Sequence, residues 1–204
     1  MNNDEPRLIR AAYSARTITI YQAYSPEIAG QAVRAGTFVP PFSRDRMTWI
    51  KPSFGWMMHR SGWGAKPGQE RILAVDISRS GFEWALEHAS LSHFASDVHE
   101  SPEAWAEQKT SSPVRIQWDP DRSLQGAQLP RRAIQVGLSG AAVHHYVQDW
   151  ICSITDITRL VRQVQSLVGA GRVVEAENEL PAEHVYPITA ALATRIGAAT
   201  GVVR

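Results

Sequence analysis

Four fixed cations crowd a stretch that has no acid to oppose them. Arg46, Lys51, Arg60 and Lys66 fall between Arg46 and Gln69, an interval without Asp or Glu. Three of the seven tryptophans share it: Trp49, Trp56 and Trp63. Arg and Lys are seldom buried without a counter-charge, so at least two of Arg46, Lys51 and Arg60 are expected to meet an anion. Aromatic faces beside unopposed cations suit a flat anionic ligand, a nucleotide or an RNA end. Trp49 and Trp63, near a proline break and in a loop, are the tryptophans expected at such a ligand, with Tyr21 as a further stacking candidate. Trp56, Met57 and Met58 are expected to pack toward the core.

Three glutamines, Gln22, Gln117 and Gln135, each interrupt an apolar strand pattern. They either line a shared polar pocket, where they would orient a ribose hydroxyl, or lie on exposed faces; the pattern leaves both open. Arg122 and Arg131 are additional phosphate candidates. Other chemistries have less support. His88, His93 and His99 do not share a helical face and no HExxH occurs, so no metal site is expected. No GxSxG, P-loop or GxGxxG pattern occurs. Cys152 lies in an apolar, helix-like context and reads as an inert core thiol. Asp76 reads as a salt-bridge partner within a strand, and Asp119 and Asp121 as turn-shaping acids.

The elements that must position these groups follow from local signals. Thr17 to Tyr24 is β-branched and aromatic and reads as a strand, with Ile18, Ile20 and Gln22 on one face and Thr17, Thr19 and Tyr21 on the other. Ser25-Pro26-Glu27 starts a helix that Gly36 closes. Pro52 divides the cationic stretch into a strand from Met47 to Lys51 and a helix from Phe54 to about Arg60, capped by Ser53 and ended by Gly62. Arg71 to Ser78 is the clearest strand. Ser80 to Glu83 has capping-box spacing, and a helix is expected from there toward Phe94. Residues 95–112 read as irregular. Pro113 to Pro120 and Arg131 to Leu138 read as an antiparallel pair, the first with Val114, Ile116 and Trp118 on one face and Arg115, Gln117 and Asp119 on the other. Helices are expected over Gly140 to Ser153, over about Asp156 to Gly169 and over Ile188 to Ile196.

A chain of 204 residues with 44% hydrophobic content fits one domain with a sizeable core. The expected fold is α+β: a central mixed or antiparallel sheet of short strands with helices packed around it. The core is expected over about 13–170 and a tail over 171–204. A net charge of +1 excludes a protein that coats nucleic acid through global charge, so any anion site must arise from local clustering. One cysteine permits no internal disulfide, and the amino terminus lacks an apolar signal-peptide region, so a reducing cytoplasm is expected. No run of residues is apolar enough to suggest a membrane span.

The phrases IYQAY (20–24), RMTWIKPSFGWMMHRSGWG (46–64), QWDPDR (117–122), RRAIQVGL (131–138) and DITRLV (156–161) resemble the family called domain of unknown function 4291. The resemblance spans nearly the whole chain. A looser likeness is to the ADP-ribosyltransferase fold, including RNA 2′-phosphotransferases, which implies short strands around a cleft that holds NAD. A catalytic glutamate on a strand, which that likeness also implies, has no counterpart here, since Gln117 and Gln135 stand where an acid is wanted. The partner expected on both grounds is a nucleotide or nucleic acid.

Overall fold

The computed structural model describes residues 5–199. The chain begins β1 (Arg10–Ala11), β2 (Thr17–Tyr24), α1 (Pro26–Ala35), β3 (Thr48–Ile50) and α2 (Phe54–Ser61). It continues β4 (Arg71–Ser78), α3 (Arg79–Glu87), β5 (Ala89–Leu91), α4 (Pro102–Ser111), β6 (Val114–Arg122) and β7 (Gln128–Leu138). The last part comprises α5 (Ala141–His145), a π-helical turn (Tyr146–Trp150), β8 (Ile151–Asp156), α6 (Thr158–Gly169), α7 (Val173–Asn178), β9 (His184–Val185) and α8 (Ala190–Ile196). The fold is α+β, with a single domain.

Two sheets carry the architecture. One has the order β2-β4-β8 and the other β3-β7-β6-β5, and β1 and β9 form a small separate pair. All pairings are antiparallel except β5 with β6. The two sheets meet where β2 passes the end of β3: the Tyr21 N–H donates to the Lys51 carbonyl at 2.8 Å, an isolated bridge. Both faces of β2 are buried. Ile18 and Ile20 face the main core, and Tyr21 enters a second core cluster with Phe54, Met57, Met58 and Val161.

Several elements arise as local signals require. Ser25 caps α1, with Pro26 in its first turn and Gly36 left-handed after it. Ser53 Oγ accepts from the Trp56 N–H at 3.3 Å and starts α2 directly after Pro52. Gly62, at φ 60°, ends α2, a conformation that costs a side-chain-bearing residue free energy. The apolar stripe of α6 buries Val161 and Val164 against the second cluster.

Other elements depart from the sequence reading. Helix α3 is capped by Ser78, not Ser80, since the Ser78 hydroxyl accepts from the Gly81 N–H at 3.2 Å. It stops at Glu87, and after His88 the residues Ala89–Leu91 form β5 because β6 offers them a parallel edge. The stretch expected to be irregular contains α4, whose Ser101-Pro102-Glu103 start repeats that of α1 but which buries no residue. The expected helix over Gly140 to Ser153 ends early, and Ile151–Asp156 instead completes the first sheet against β4. Cys152 is therefore exposed on a strand, not a core thiol in a helix. Asp76 accepts hydrogen bonds from the Thr19 hydroxyl at 2.7 Å and the Ser153 hydroxyl at 2.9 Å, and no basic side chain pairs with it among the described residues. No helix among the described residues is long and apolar enough to cross a membrane.

The stretch read as a tail supplies core. Tyr186, Leu192 and Ile196 belong to the main cluster. Glu183 reaches α2, where its carboxylate accepts from the Phe54 N–H at 2.7 Å. Burial pushes the Glu183 carboxyl up from 4.5 to about 7, with the Asp121 charge adding to the rise. The folded protein thus holds a proton there that the unfolded chain releases near pH 4.5. Stability should fall as pH rises from about 4.5 to about 7 and level off above. Glu183→Gln keeps an oxygen for the Phe54 N–H and removes the titration. Urea unfolding should find the variant equal to wild type near pH 4.5 and more stable at pH 8, by up to about 3 kcal/mol. A difference that does not change with pH would refute this assignment.

Candidate functional site

One face of the second sheet forms the floor of a cleft of about 760 Å3, a size suited to a small-molecule ligand. Three strands contribute to it. Trp49 on β3 lies opposite Gly137 on β7. A Cβ at Gly137 would fall 2.8 Å from Met47 Sδ and 3.0 Å from the Trp49 ring, so the glycine is what lets the indole lie against the strand. Gln135 is two residues along β7 on the same face, and Gln117 on β6 is its cross-strand partner. Asp119 follows Gln117 on that face. Gln117 Nε2 donates to Asp119 Oδ1 at 2.8 Å, and Gln135 Nε2 donates to Asp119 Oδ2. Two amides thus hold one carboxylate at the cleft.

Lys51 sits just past the end of β3 and is 8% exposed. Its ammonium donates to the Trp49 carbonyl at 3.2 Å, and no carboxylate forms an ion pair with it among the described residues. Its pKa is lowered from 10.5 to about 8, chiefly by burial and also by the nearby Arg60 charge, against an opposing pull from Asp119. An ammonium kept in such surroundings does not serve stability, and perturbed groups of this kind concentrate at functional sites. Arg46 and Arg60 are exposed at the cleft and also lack a carboxylate partner among the described residues.

Gln22 is fully occupied within the wall. Tyr146 Oη donates to its Oε1 at 2.6 Å, and its Nε2 donates to Tyr24 Oη at 2.9 Å and to the Trp49 carbonyl at 3.3 Å. Tyr24 Oη in turn meets Thr48 Oγ1 at 3.1 Å. This network orients the wall rather than offering free donors. Helix α2 closes another side with Trp56, Met57 and Arg60. Trp56 stacks on His59, with ring centroids 5.3 Å apart, and its indole N–H has no hydrogen-bond partner among the described residues. His59 is pulled below its usual range by burial and by the charges of Arg122, Lys66 and Arg60, which marks the end of α2 as a zone of positive potential.

The structure brings together Gln22, Arg46, Trp49, Lys51, Arg60, Gln117 and Gln135 of the residues chosen from sequence. Four of the chosen residues, Tyr21, Trp63, Arg122 and Arg131, lie elsewhere. Tyr21 points from the opposite face of β2 into the second core cluster, where burial raises its pKa and its hydroxyl has no hydrogen-bond partner among the described residues. Trp63 packs edge-on to Phe54, 6.3 Å between centroids, beyond the end of α2. Arg122 bonds the Gly126 carbonyl at 3.3 Å, and its own carbonyl lies over Gly55. Arg131 is engaged by the buried Asp121, Nε to Oδ2 at 2.7 Å. Asp119 and Trp56 were not chosen, and both line the cleft. Alternation along β6 already placed Asp119 on the face of Gln117; the Asp-Pro-Asp sequence obscured it by resembling a turn. Among the described residues no group of three His, Cys, Asp or Glu could hold a metal ion.

The family described as Domain of unknown function (DUF4291) matches residues 8–186. No curated protein matches the chain.

Proposed function

We propose, for a chain that belongs to the domain of unknown function (DUF4291) family, that the cationic cleft binds a phosphate-bearing nucleotide ligand and acts on it as an enzyme of the ADP-ribosyltransferase type. The observation that carries this reading is Lys51, a buried ammonium with one backbone acceptor beside Arg60, which pairs with no carboxylate among the described residues. Phosphate oxygens supply the missing counter-charge to Lys51, Arg46 and Arg60. Trp49 offers a ring face to a base. Asp119, fixed by Gln117 and Gln135, is placed to accept a hydrogen bond from a ribose hydroxyl. NAD joins all of these features in one molecule, and a phosphorylated RNA end shares most of them. In a reducing cytoplasm, the expected compartment, exposed Cys152 stays a thiol.

Thermal-shift measurements with NAD, ATP, ADP-ribose and short phosphorylated RNAs test the reading. A ligand at a hundred times its Kd stabilises the fold by about 2.7 kcal/mol. Arg60→Ala, at an exposed position, should leave the melting temperature of the free protein nearly unchanged and weaken the ligand roughly tenfold or more, the scale of one charged hydrogen bond. A uniform lack of stabilisation by all the ligands would remove the nucleotide reading. Incubation with labelled NAD then separates transfer from simple binding: stoichiometric binding without release of nicotinamide would make the protein a non-catalytic nucleotide-binding module.

A further inference from the structure

Arginine dominates the cations of this chain. Of the 21 lysine and arginine residues, only Lys51, Lys66 and Lys109 are lysines. Lys66 Nζ donates to the Arg60 carbonyl at 2.5 Å, and Lys109 Nζ donates to the Ser92 carbonyl at 3.1 Å while lying over the ring of Trp105. Of the three, Lys51 is the one that lines the cationic cleft. If phosphate binding were its whole task, arginine would serve better, since a guanidinium grips a phosphate with two parallel donors. An amine adds what a guanidinium lacks: a proton it can release and a lone pair that then attacks carbon.

The surroundings leave that lone pair available. No carboxylate pairs with Lys51 among the described residues, so no ion pair has to break. Its acceptor, the Trp49 carbonyl, also accepts from Gln22 Nε2 at 3.3 Å. That carbonyl therefore keeps a partner when the amine turns away from it. Burial and the Arg60 charge both favour the neutral amine. Desolvation and a neighbouring cation are the two means by which lysines are made nucleophilic toward carbonyl carbon. Arg46, from the loop before β3, and Arg60, from α2, reach the same cleft. Two phosphate-binding groups thus share the cleft with a nucleophile, which calls for a ligand that carries both phosphate and a carbonyl group. A ribose whose anomeric carbon bears no base meets this need, because its ring opens to an aldehyde.

We propose that the Lys51 amine condenses with the open-chain aldehyde of a phosphate-bearing ribose that is free at its anomeric carbon, ADP-ribose being the nucleotide form of such a ligand. This rests on the reading that the cleft takes a phosphate-bearing nucleotide. The nitrogen lone pair bonds to the aldehyde carbon, and a proton passes from nitrogen to the carbonyl oxygen. The carbinolamine then loses that oxygen as water, with the second amine proton, and a C=N bond forms. Nothing is oxidised or reduced. NAD has a base on each anomeric carbon, so it pairs with the ammonium and forms no imine.

Hydride trapping on the full chain tests the proposal. The protein is incubated with ADP-ribose, ribose 5-phosphate, ribose or NAD, each with sodium cyanoborohydride, and adducts are located by peptide mass mapping. At pH 7 an amine that titrates near 8 is free about three hundred times as often as an ordinary lysine. ADP-ribose should therefore modify Lys51 at least about tenfold faster than Lys66 or Lys109, the internal references in the same molecule. The rate should rise with pH and level off above about 8. Ribose, without phosphate, and the Arg60→Ala variant with ADP-ribose should each react roughly tenfold more slowly, the scale of one charged contact. Lys51→Arg keeps the charge and should lose the adduct. Modification spread evenly over the three lysines, or none at Lys51, would overturn the proposal. If ADP-ribose then still raises the melting temperature, the nucleotide reading survives without the imine; if it does not, both fall. Trapping of ribose 5-phosphate on Lys51 with none of ADP-ribose would uphold the reactive amine and remove the nucleotide reading instead.

Discussion

Replacing Lys51 by methionine should make the free protein more stable and deprive it of its ligand. The folded ammonium has a pKa near 8, against 10.5 for an ordinary lysine, chiefly because it is buried. Below pH 8 both folded and unfolded chains hold the proton, and the fold carries the whole cost of that buried charge. This amounts to about 3 kcal/mol. Between pH 8 and about 10.5 the folded state releases the proton first, so wild-type stability should climb with pH across that window. Lys51→Met has no such proton, and its advantage should shrink over the same interval. Urea unfolding at pH 7, 9 and 10 checks both the sign and the window. Anion binding acts in the opposite sense, since a phosphate beside Lys51 restores the charged form. Ligand affinity in wild type should decline above about pH 8, with proton uptake on binding visible as a buffer-dependent heat. The methionine variant should show no nucleotide-dependent thermal shift. A variant less stable than wild type at pH 7 would mean that Lys51 is compensated in the free protein and that the anion site lies elsewhere.

Asp119→Asn should separate binding from transfer. Removing one preorganised electrostatic contact to a reacting ribose costs roughly a hundredfold to a thousandfold in rate. The carboxamide keeps one acceptor for Gln117 or Gln135, and rotation of the other glutamine amide lets its oxygen accept from the new Nδ2. Packing is thereby preserved, and NAD affinity should stay within a few-fold of wild type. Single-turnover labelling with NAD gives the rate, and thermal shift gives the affinity. A transfer rate within tenfold of wild type would remove Asp119 from the chemistry.

Much of the scaffold was legible because its signals are local. The β-branched run of β2, the Ser-Pro-Glu start of α1, the Pro52 break and the stripe of α6 each depend on a few adjacent residues. What was not legible depended on neighbours distant in sequence. Strand β5 is three residues long and exists because β6 pairs with it. Helix α4 buries nothing and so has no apolar stripe to reveal it. The apolar residues between Tyr146 and Ile154 suit either conformation, and an open edge on β4 decides that the second half of the run is a strand. The site divides in the same way. Lys51, Trp49 and Arg60 followed from composition, whereas for the paired glutamines alternation left a pocket and an exposed face both open. Trp63 did not join them because the left-handed turn after α2 directs it onto Phe54. Asp119 was hidden by a sequence that resembles a turn but continues the strand as far as Arg122.

The joint between the two sheets has a mechanical consequence. One backbone hydrogen bond, from the Tyr21 amide to the carbonyl of Lys51, joins β2 to the end of β3, with side-chain bonds from Gln22 to the Trp49 carbonyl and from Tyr24 to Thr48 beside it. The residue that supplies the buried cation therefore also supplies the backbone acceptor at the joint between the sheets. A ligand gripped by Lys51 from one side and by Arg60 from the other should stiffen that joint. The Tyr21 amide is its natural reporter: in hydrogen–deuterium exchange its protection should rise on ligand binding, while amides deep in the β6–β7 pair stay as slow as before.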